Sequence, residues 1–369
     1  MLETGSRQQK LPLHSDRVSP DRGNGGVAAV ERLLSVDARQ PSALAWTPAP
    51  ERPLDSGGPI ERPFDRMGPD FASRPAAEHL AAVATKYPNK IAVSDGAQRF
   101  TCAEFAARVA SLARLIATAV PEDRAVGLLL QHSVWYPLAM LACMAAGRPC
   151  VPLNLRDPMQ RIADVARDAR LSALVVAGAE GPRDWTEMPD VRWIDATAAL
   201  NDRPELPAAL PPVSVDAPAV VLYTSGSTGR PKGVINSQRS LLQRVQQYVD
   251  ACHINADDVF LPLSGPTTIA GCREMLTAVL TGATLHLADV ETVGIRGIRR
   301  QIRAHGVTMM YFVPALLRAV LAGAEDGDFA SLRNARIGGE KVLWTDIALV
   351  RRALPASCFV QVGYSSTET

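Results

Sequence analysis

The stretch Leu222-Tyr223-Thr224-Ser225-Gly226-Ser227-Thr228-Gly229-Arg230-Pro231-Lys232-Gly233-Val234 packs hydroxyls, glycines and one lysine between two apolar, β-branched runs. Ahead of it, Ala219-Val220-Val221-Leu222-Tyr223 reads as a buried strand, and Val234-Ile235 starts another. Glycine lets a backbone approach a guest closely and take positive φ, so such a loop can surround an anion with N–H groups. Thr224, Ser225, Ser227 and Thr228 add hydroxyl donors, and Lys232 adds a full positive charge. This chemistry suits a polyphosphate.

A Walker-type loop, G-x-x-x-x-G-K-[ST], is the first comparison. Counted from Gly226 the lysine falls at the correct place, but Pro231 precedes it and Gly233 follows it. The stretch also leads into β-branched residues, whereas a Walker loop opens a helix whose N-terminus holds the phosphate. The Walker reading is therefore excluded. A flexible Ser/Gly linker would require neither Pro-Lys-Gly at a fixed offset nor strands on both sides. Residues 223–233 resemble instead the phosphate loop of the adenylate-forming (AMP-binding) enzymes. These include acyl- and aryl-CoA synthetases, luciferases and nonribosomal peptide synthetase adenylation domains, and the last are closest in tone.

Composition agrees with a globular chain and narrows its partners. The 369 residues are 47% hydrophobic and 21% charged, with a formal net charge of +1. That balance gives no reason to expect nucleic acid or a membrane surface as a bulk partner. Six cysteines show neither a C-x-x-C pair nor an accompanying histidine cluster, so reduced thiols are expected rather than zinc or a disulfide scaffold. No secretory signal opens the chain, and its longest apolar stretch, 134–146, is shorter than the ~20 residues of a membrane span. The expected location is the cytoplasm.

Taken in order, residues 1–75 are rich in Pro, Gly, Ser, Arg and Asp and read as a disordered leader or linker. From Ala76 onward, helix and strand alternate: helix 77–84, strand 90–94, helix 103–117, strand 125–130, helix 133–146 ended at Gly147, strand 149–153, a helix to 169 and strand 173–176. This rhythm implies parallel sheets covered by helices. Residues 178–217 read as a surface excursion, which divides a first α/β subdomain, 76–217, from a second, 218–369. Arg296, Arg299, Arg300 and Arg303 recur at helical spacing and read as a solvated face. His79 and His132 have no partner at ligand spacing and read as structural histidines.

Further segments extend the resemblance. Residues 145–154 are similar to the family's "K-A-G-x-A-Y-V-P-L-D" segment, taken here as packing and turn chemistry. Gly338-Gly339-Glu340 resembles the segment lining the adenine and acyl pockets. Val362-Gly363-Tyr364-Ser365-Ser366-Thr367-Glu368-Thr369 resembles "Y-G-x-T-E", with Ser365 in place of glycine. The resemblance implies that Tyr364 stacks on adenine, Thr367 bonds the α-phosphate and Glu368 binds Mg²⁺. In amino-acid-activating members an aspartate in the pocket wall pairs with the substrate ammonium. Aligning Glu274-Met275 with the family helix puts Ile269 or Thr268 there, and no acid occurs between Asp258 and Glu274. A buried ammonium without a counter-charge is costly, so the substrate lacks a free α-amino group or another residue supplies the charge.

The implied fold is the large N-terminal domain of an adenylate-forming enzyme, with stacked, mostly parallel sheets flanked by helices. The implied activity is an acid–thiol ligase: a small carboxylic acid and ATP give an acyl-adenylate, which passes to coenzyme A or to the phosphopantetheine of a carrier protein or synthetase module. Lys232, Thr367 and Glu368 are the expected catalytic residues. Thr224, Ser225, Gly226, Ser227, Thr228, Gly229, Lys232, Gly338, Gly339, Glu340, Tyr364 and Thr367 are expected to bind nucleotide. Family members continue past the point where this chain stops, into a lid carrying a catalytic lysine. The expectation is therefore a front portion that is catalytically incomplete alone. The alternatives are a nucleotide-binding or interaction protein and an acyl-CoA ligase fragment.

Overall fold

Strand–helix alternation resolves into two parallel sheets, each ending in one antiparallel pair. The computed structural model describes residues 62, 64, 66–178, 191–197, 210, 212–225, 231–364, 366 and 367. Most of the 1–75 leader, and the disorder expected of it, lies outside these residues.

One sheet has the order β6-β5-β3-β4-β7-β8. Its strands are β3 (Ala125–Leu128), β4 (Cys150–Pro152), β5 (Leu171–Val176), β6 (Arg192–Asp195), β7 (Pro218–Ser225) and β8 (Pro231–Ser237). All pairs are parallel except β7–β8, an antiparallel hairpin in which Tyr223 faces Gly233 and Thr224 faces Lys232. The other sheet runs β13-β12-β11-β9-β10-β1-β2. It comprises β1 (Ile91–Ser94), β2 (Arg99–Thr101), β9 (Val259–Phe260), β10 (Thr284–His286), β11 (Met309–Phe312), β12 (Asn334–Gly338) and β13 (Phe359–Gly363). Only β1–β2 is antiparallel.

The division expected at 217/218 does not separate the sheets. Strands β1 and β2 pair into the sheet built mainly from later residues, and β7 and β8 pair into the sheet built from earlier ones. Hydrogen-bond pairing, not chain order, decides membership. Within the expected 178–217 excursion, β6 pairs with β5 from Ala173↔Arg192 to Val176↔Asp195. Its Arg-Trp-Ile-Asp carries a single buried apolar residue, Ile194, too short a pattern to stand out from a Pro- and Asp-rich background.

Helices Cys102–Ala119, Trp135–Ala146, Gln238–Cys252 and Ile269–Thr281 share one core with residues of both sheets, among them Val93, Leu285 and Met309 from one and Val126, Val175 and Val220 from the other. Helix Trp135–Ala146 is buried on every side, as its unbroken apolar composition requires. It ends on Gly147, whose φ of 66° closes the last turn. Alternation along strands sends neighbouring residues to opposite faces. Met309 joins the shared core while Met310 and Phe312 face helices Val290–His305 and Pro314–Leu321, and Val220 and Leu222 point inward while Val221 and Tyr223 face helix Met159–Asp168.

Packing begins before Ala76. The Phe64 ring stacks on His253 at 4.0 Å, and Phe71 stacks on His79, whose Nε2 lies 2.8 Å from the Phe71 carbonyl. Arg62 reaches buried Asp258 at 3.1 Å, where Arg333 and the Thr308 hydroxyl also bond. Burial alone would raise the Asp258 pKa, but Arg333 foremost, with the Asn255 N–H and the Thr308 hydroxyl, holds it below the usual carboxylate range. The arginine run near 300 is not a purely solvated face. Arg299 donates to the Val320 and Ala322 carbonyls, and Arg299 and Arg303 both pair with buried Asp328 at 3.5 Å.

Candidate active site

The β7–β8 hairpin carries the stretch from which the fold was read. Its strands are described up to Ser225 and from Pro231, so Gly226, Ser227, Thr228, Gly229 and the Ser225 side chain lie outside the described residues. Thr224 is half-buried and faces exposed Lys232 across the hairpin. One residue back, Tyr223 donates its hydroxyl to Asp168 at 2.5 Å and ties the strand to helix Met159–Asp168. The chain leaves the loop as a strand, the geometry on which the Walker reading fails.

A second group of expected residues meets at the ends of β12 and β13. These parallel strands pair in register from Asn334↔Phe359 to Gly338↔Gly363. A Cβ on Gly338 would sit 2.5 Å from the Gly363 carbonyl oxygen, so only glycine permits this approach. Gly339 follows with φ of 84°, and a Cβ there would meet the Tyr311 hydroxyl at 3.0 Å. Glu340 is exposed, Tyr364 is fully exposed beyond Gly363, and Thr367 is half-buried. Glu368 lies outside the described residues. The structure thus brings Gly338, Gly339 and Tyr364 to one sheet edge, while Thr224 and Lys232 stand on the other sheet.

A cavity of about 460 Å³ opens where strand ends of the two sheets face each other. It is lined from the segments following β3 and β4 (Gln131, His132, Asn154) and from those following β9 and β10 (Thr267, Asp289). Clefts beyond the carboxyl ends of parallel strands are where ligands bind in α/β folds. Arg156 crosses its mouth to Asp289 at 2.7 Å and Glu291 at 2.9 Å. His132, expected to be structural, lines this cavity with its Nε2 buried and unpartnered, and burial lowers its pKa to about 4, so the ring is neutral near pH 7.

One cluster was not legible in the sequence. On the inner side of the sheet, just behind Gly338 and Gly363, Arg273 lies 4.6 Å over the Tyr248 ring and 5.4 Å from that of Tyr311. Arg336 lies 5.4 Å from the same Tyr248 ring, and its Nε would be 2.9 Å from a Cβ on Gly363. Beside them Glu274 is fully buried, and burial raises its pKa to about 8 against the pull of Arg273 and Arg336. The available signal was an arginine and a glutamate interrupting the mostly apolar Ile269–Leu280 run.

Among the described residues no group of three or more His, Cys, Asp or Glu side chains could hold a metal. No helix among them is long and apolar enough to cross a membrane.

A family model described as "AMP-binding enzyme" matches residues 80–369. Among curated proteins, the probable non-canonical nonribosomal peptide synthetase CymA of Salinispora arenicola is 31% identical over 353 residues, which is 93% of this chain and 4% of CymA. Tyrocidine synthase 2 of Brevibacillus parabrevis is 28% identical over 294 residues, 78% of this chain and 8% of its own length. This chain therefore spans a small fraction of the relatives it matches. Among solved structures, the Klebsiella oxytoca NpsA N-terminal subdomain with 3-hydroxyanthranilyl-AMSN superposes with a TM-score of 0.70 at 24% identity, covering 80% of this chain and 73% of that one. The nonribosomal peptide synthetase FmoA3 in its AMPPNP-bound form gives 0.74 at 22% identity, over 82% of this chain and 32% of that one. The shared architecture is that of an adenylate-forming N-terminal domain.

Proposed function

We infer that this chain, which belongs to the AMP-binding enzyme family, activates a carboxylic acid with ATP as an acyl-adenylate for transfer to a thiol. A carboxylate oxygen attacks the α-phosphorus in line and pyrophosphate leaves, so the protein's work is to position groups and neutralise charge. Lys232 and the hydroxyls of Thr224, Ser225, Ser227 and Thr228 hold the departing phosphates. Tyr364 stacks on adenine beside the Gly338-Gly339 turn, and Thr367 bonds the α-phosphate. The observation that carries this reading is the meeting of Gly338 with Gly363, which leaves an open edge beneath an exposed Tyr364 at the ends of two parallel strands.

Mg²⁺ bound through Glu368 would add charge neutralisation, because this hard cation takes one or two carboxylates together with substrate phosphates. A carrier-protein phosphopantetheine is the favoured acceptor. The synthetase relatives support this choice, as does an NpsA-ThdA adenylation–PCP fusion with a TM-score of 0.71.

Calorimetric titration of the purified chain with ATP and with a non-hydrolysable acyl-adenylate analogue tests the reading. Both should bind, and Tyr364→Ala should weaken the analogue by about tenfold, in keeping with ~1–3 kcal/mol for aromatic stacking on a base. Lys232→Ala should weaken ATP by about tenfold or more while affecting the pyrophosphate-free analogue little. A chain that binds neither ligand is not an adenylating domain.

A further inference from the structure

Arg273 is more than nine-tenths buried, and its Nε and one Nη have no hydrogen-bond partner. Arg336 approaches the same Tyr248 ring from β12. Among the described residues no carboxylate forms an ion pair with either guanidinium. Glu274, the acid beside them, has neither carboxyl oxygen in a hydrogen bond. Arg244 adds a third positive group within electrostatic reach of Arg273, while Glu340, on the Tyr311 side, stands in solvent. A buried guanidinium whose N–H donors lack acceptors is costly, and a carboxylate received beside Arg273 and Arg336 would relieve it. Gly338, Gly339 and Gly363 place no side chains at the strand ends beside this cluster, and the wall segment 259–273 offers no acid.

We propose that the acid activated here carries a second carboxylate, received between Arg273 and Arg336 behind the Gly338–Gly363 edge, and that no substrate ammonium is bound there. This rests on the acyl-adenylate reading and names its substrate class. An arginine fork matches a carboxylate with paired N–H donors, whereas the same two groups repel an ammonium. The Tyr248 and Tyr311 rings form the apolar walls along which the substrate's carbon chain lies.

The test is calorimetric binding of non-hydrolysable acyl-sulfamoyl adenosines to the full chain. Succinyl is compared with butyryl and glutaryl with pentanoyl, with alanyl as the ammonium-bearing probe and ATP as the reference. At least one dicarboxylate should bind about tenfold or more tighter than its neutral counterpart, and alanyl should bind weakest. Arg336→Gln should abolish that preference while leaving ATP affinity unchanged, and Arg336→Lys should restore part of it. Equal binding within both pairs, or alanyl binding tightest, overturns the proposal while ATP binding keeps the acyl-adenylate reading intact. If neither ATP nor any analogue binds, that reading fails and this one with it.

Discussion

Glu274 has no solvent exposure, and the groups facing it come from four elements: Arg273 on its own helix, Tyr248 on helix Gln238–Cys252, Tyr311 on β11 and Arg336 on β12. Because burial raises its pKa to about 8, the folded chain holds a proton there that the unfolded chain releases above its ordinary value near 4.5. The stability this contributes is present below about pH 4.5 and is lost as pH rises towards and through about 8. Glu274→Gln should therefore flatten the fall in unfolding free energy between pH 5 and 9, a gain on the order of 1–3 kcal/mol at the alkaline end. Urea titrations of both proteins at those pH values check it, and parallel curves would mean that Glu274 is not the group responsible. At this scale the sequence was partly readable. Lys232, Thr224, Gly338 and Tyr364 lie in contiguous stretches whose residue types suggest their chemistry. Arg273 and Arg336 are far apart in the chain and share a neighbour only because a helix and a strand pack on one tyrosine, which no local pattern encodes.

At the scale of elements, helix Ile269–Thr281 is placed by its first turn. Thr268 caps it by accepting from the Gly271 N–H at 3.1 Å, and a Cβ on Gly271 would meet the Gly265 carbonyl oxygen at 2.3 Å. That obstacle is backbone, which cannot rotate aside as a side chain can. Gly271→Ala should cost about 1–3 kcal/mol of stability, measured by thermal or chemical unfolding, despite alanine's better helix propensity. A neutral or stabilising result would show that the Gly265 turn yields. Gly147 was legible as the end of helix Trp135–Ala146, whereas the reciprocal capping box of Thr101 and Glu104, which starts helix Cys102–Ala119 one residue before the expected 103, came from the structure. Arg299 and Arg303 could not be assigned the same way, because their acceptor, Asp328, comes from a loop beyond the next helix.

For the whole molecule, alternation of helix and strand told that the sheets are parallel but not which strands share a sheet. Parallel strands are joined by crossovers, so sequence neighbours need not be spatial neighbours. The order β13-β12-β11-β9-β10-β1-β2 places the earliest hairpin on the far edge of the later sheet, and β7 joins β4 of the earlier one. A shared helical core is then completed from both halves, with Leu241, Leu242 and Met275 packed among the same residues as Leu112, Leu138 and Met140. Cutting the chain at 217/218 would leave each half with unpaired sheet edges and half a core, in contrast to a cut between independent domains. Fragments 1–217 and 218–369, purified separately, should each lack a cooperative unfolding transition, while co-expression should yield a complex that melts as one unit. Recovery of a cooperative transition from either fragment alone would show that its sheet closes without the strands the other half supplies.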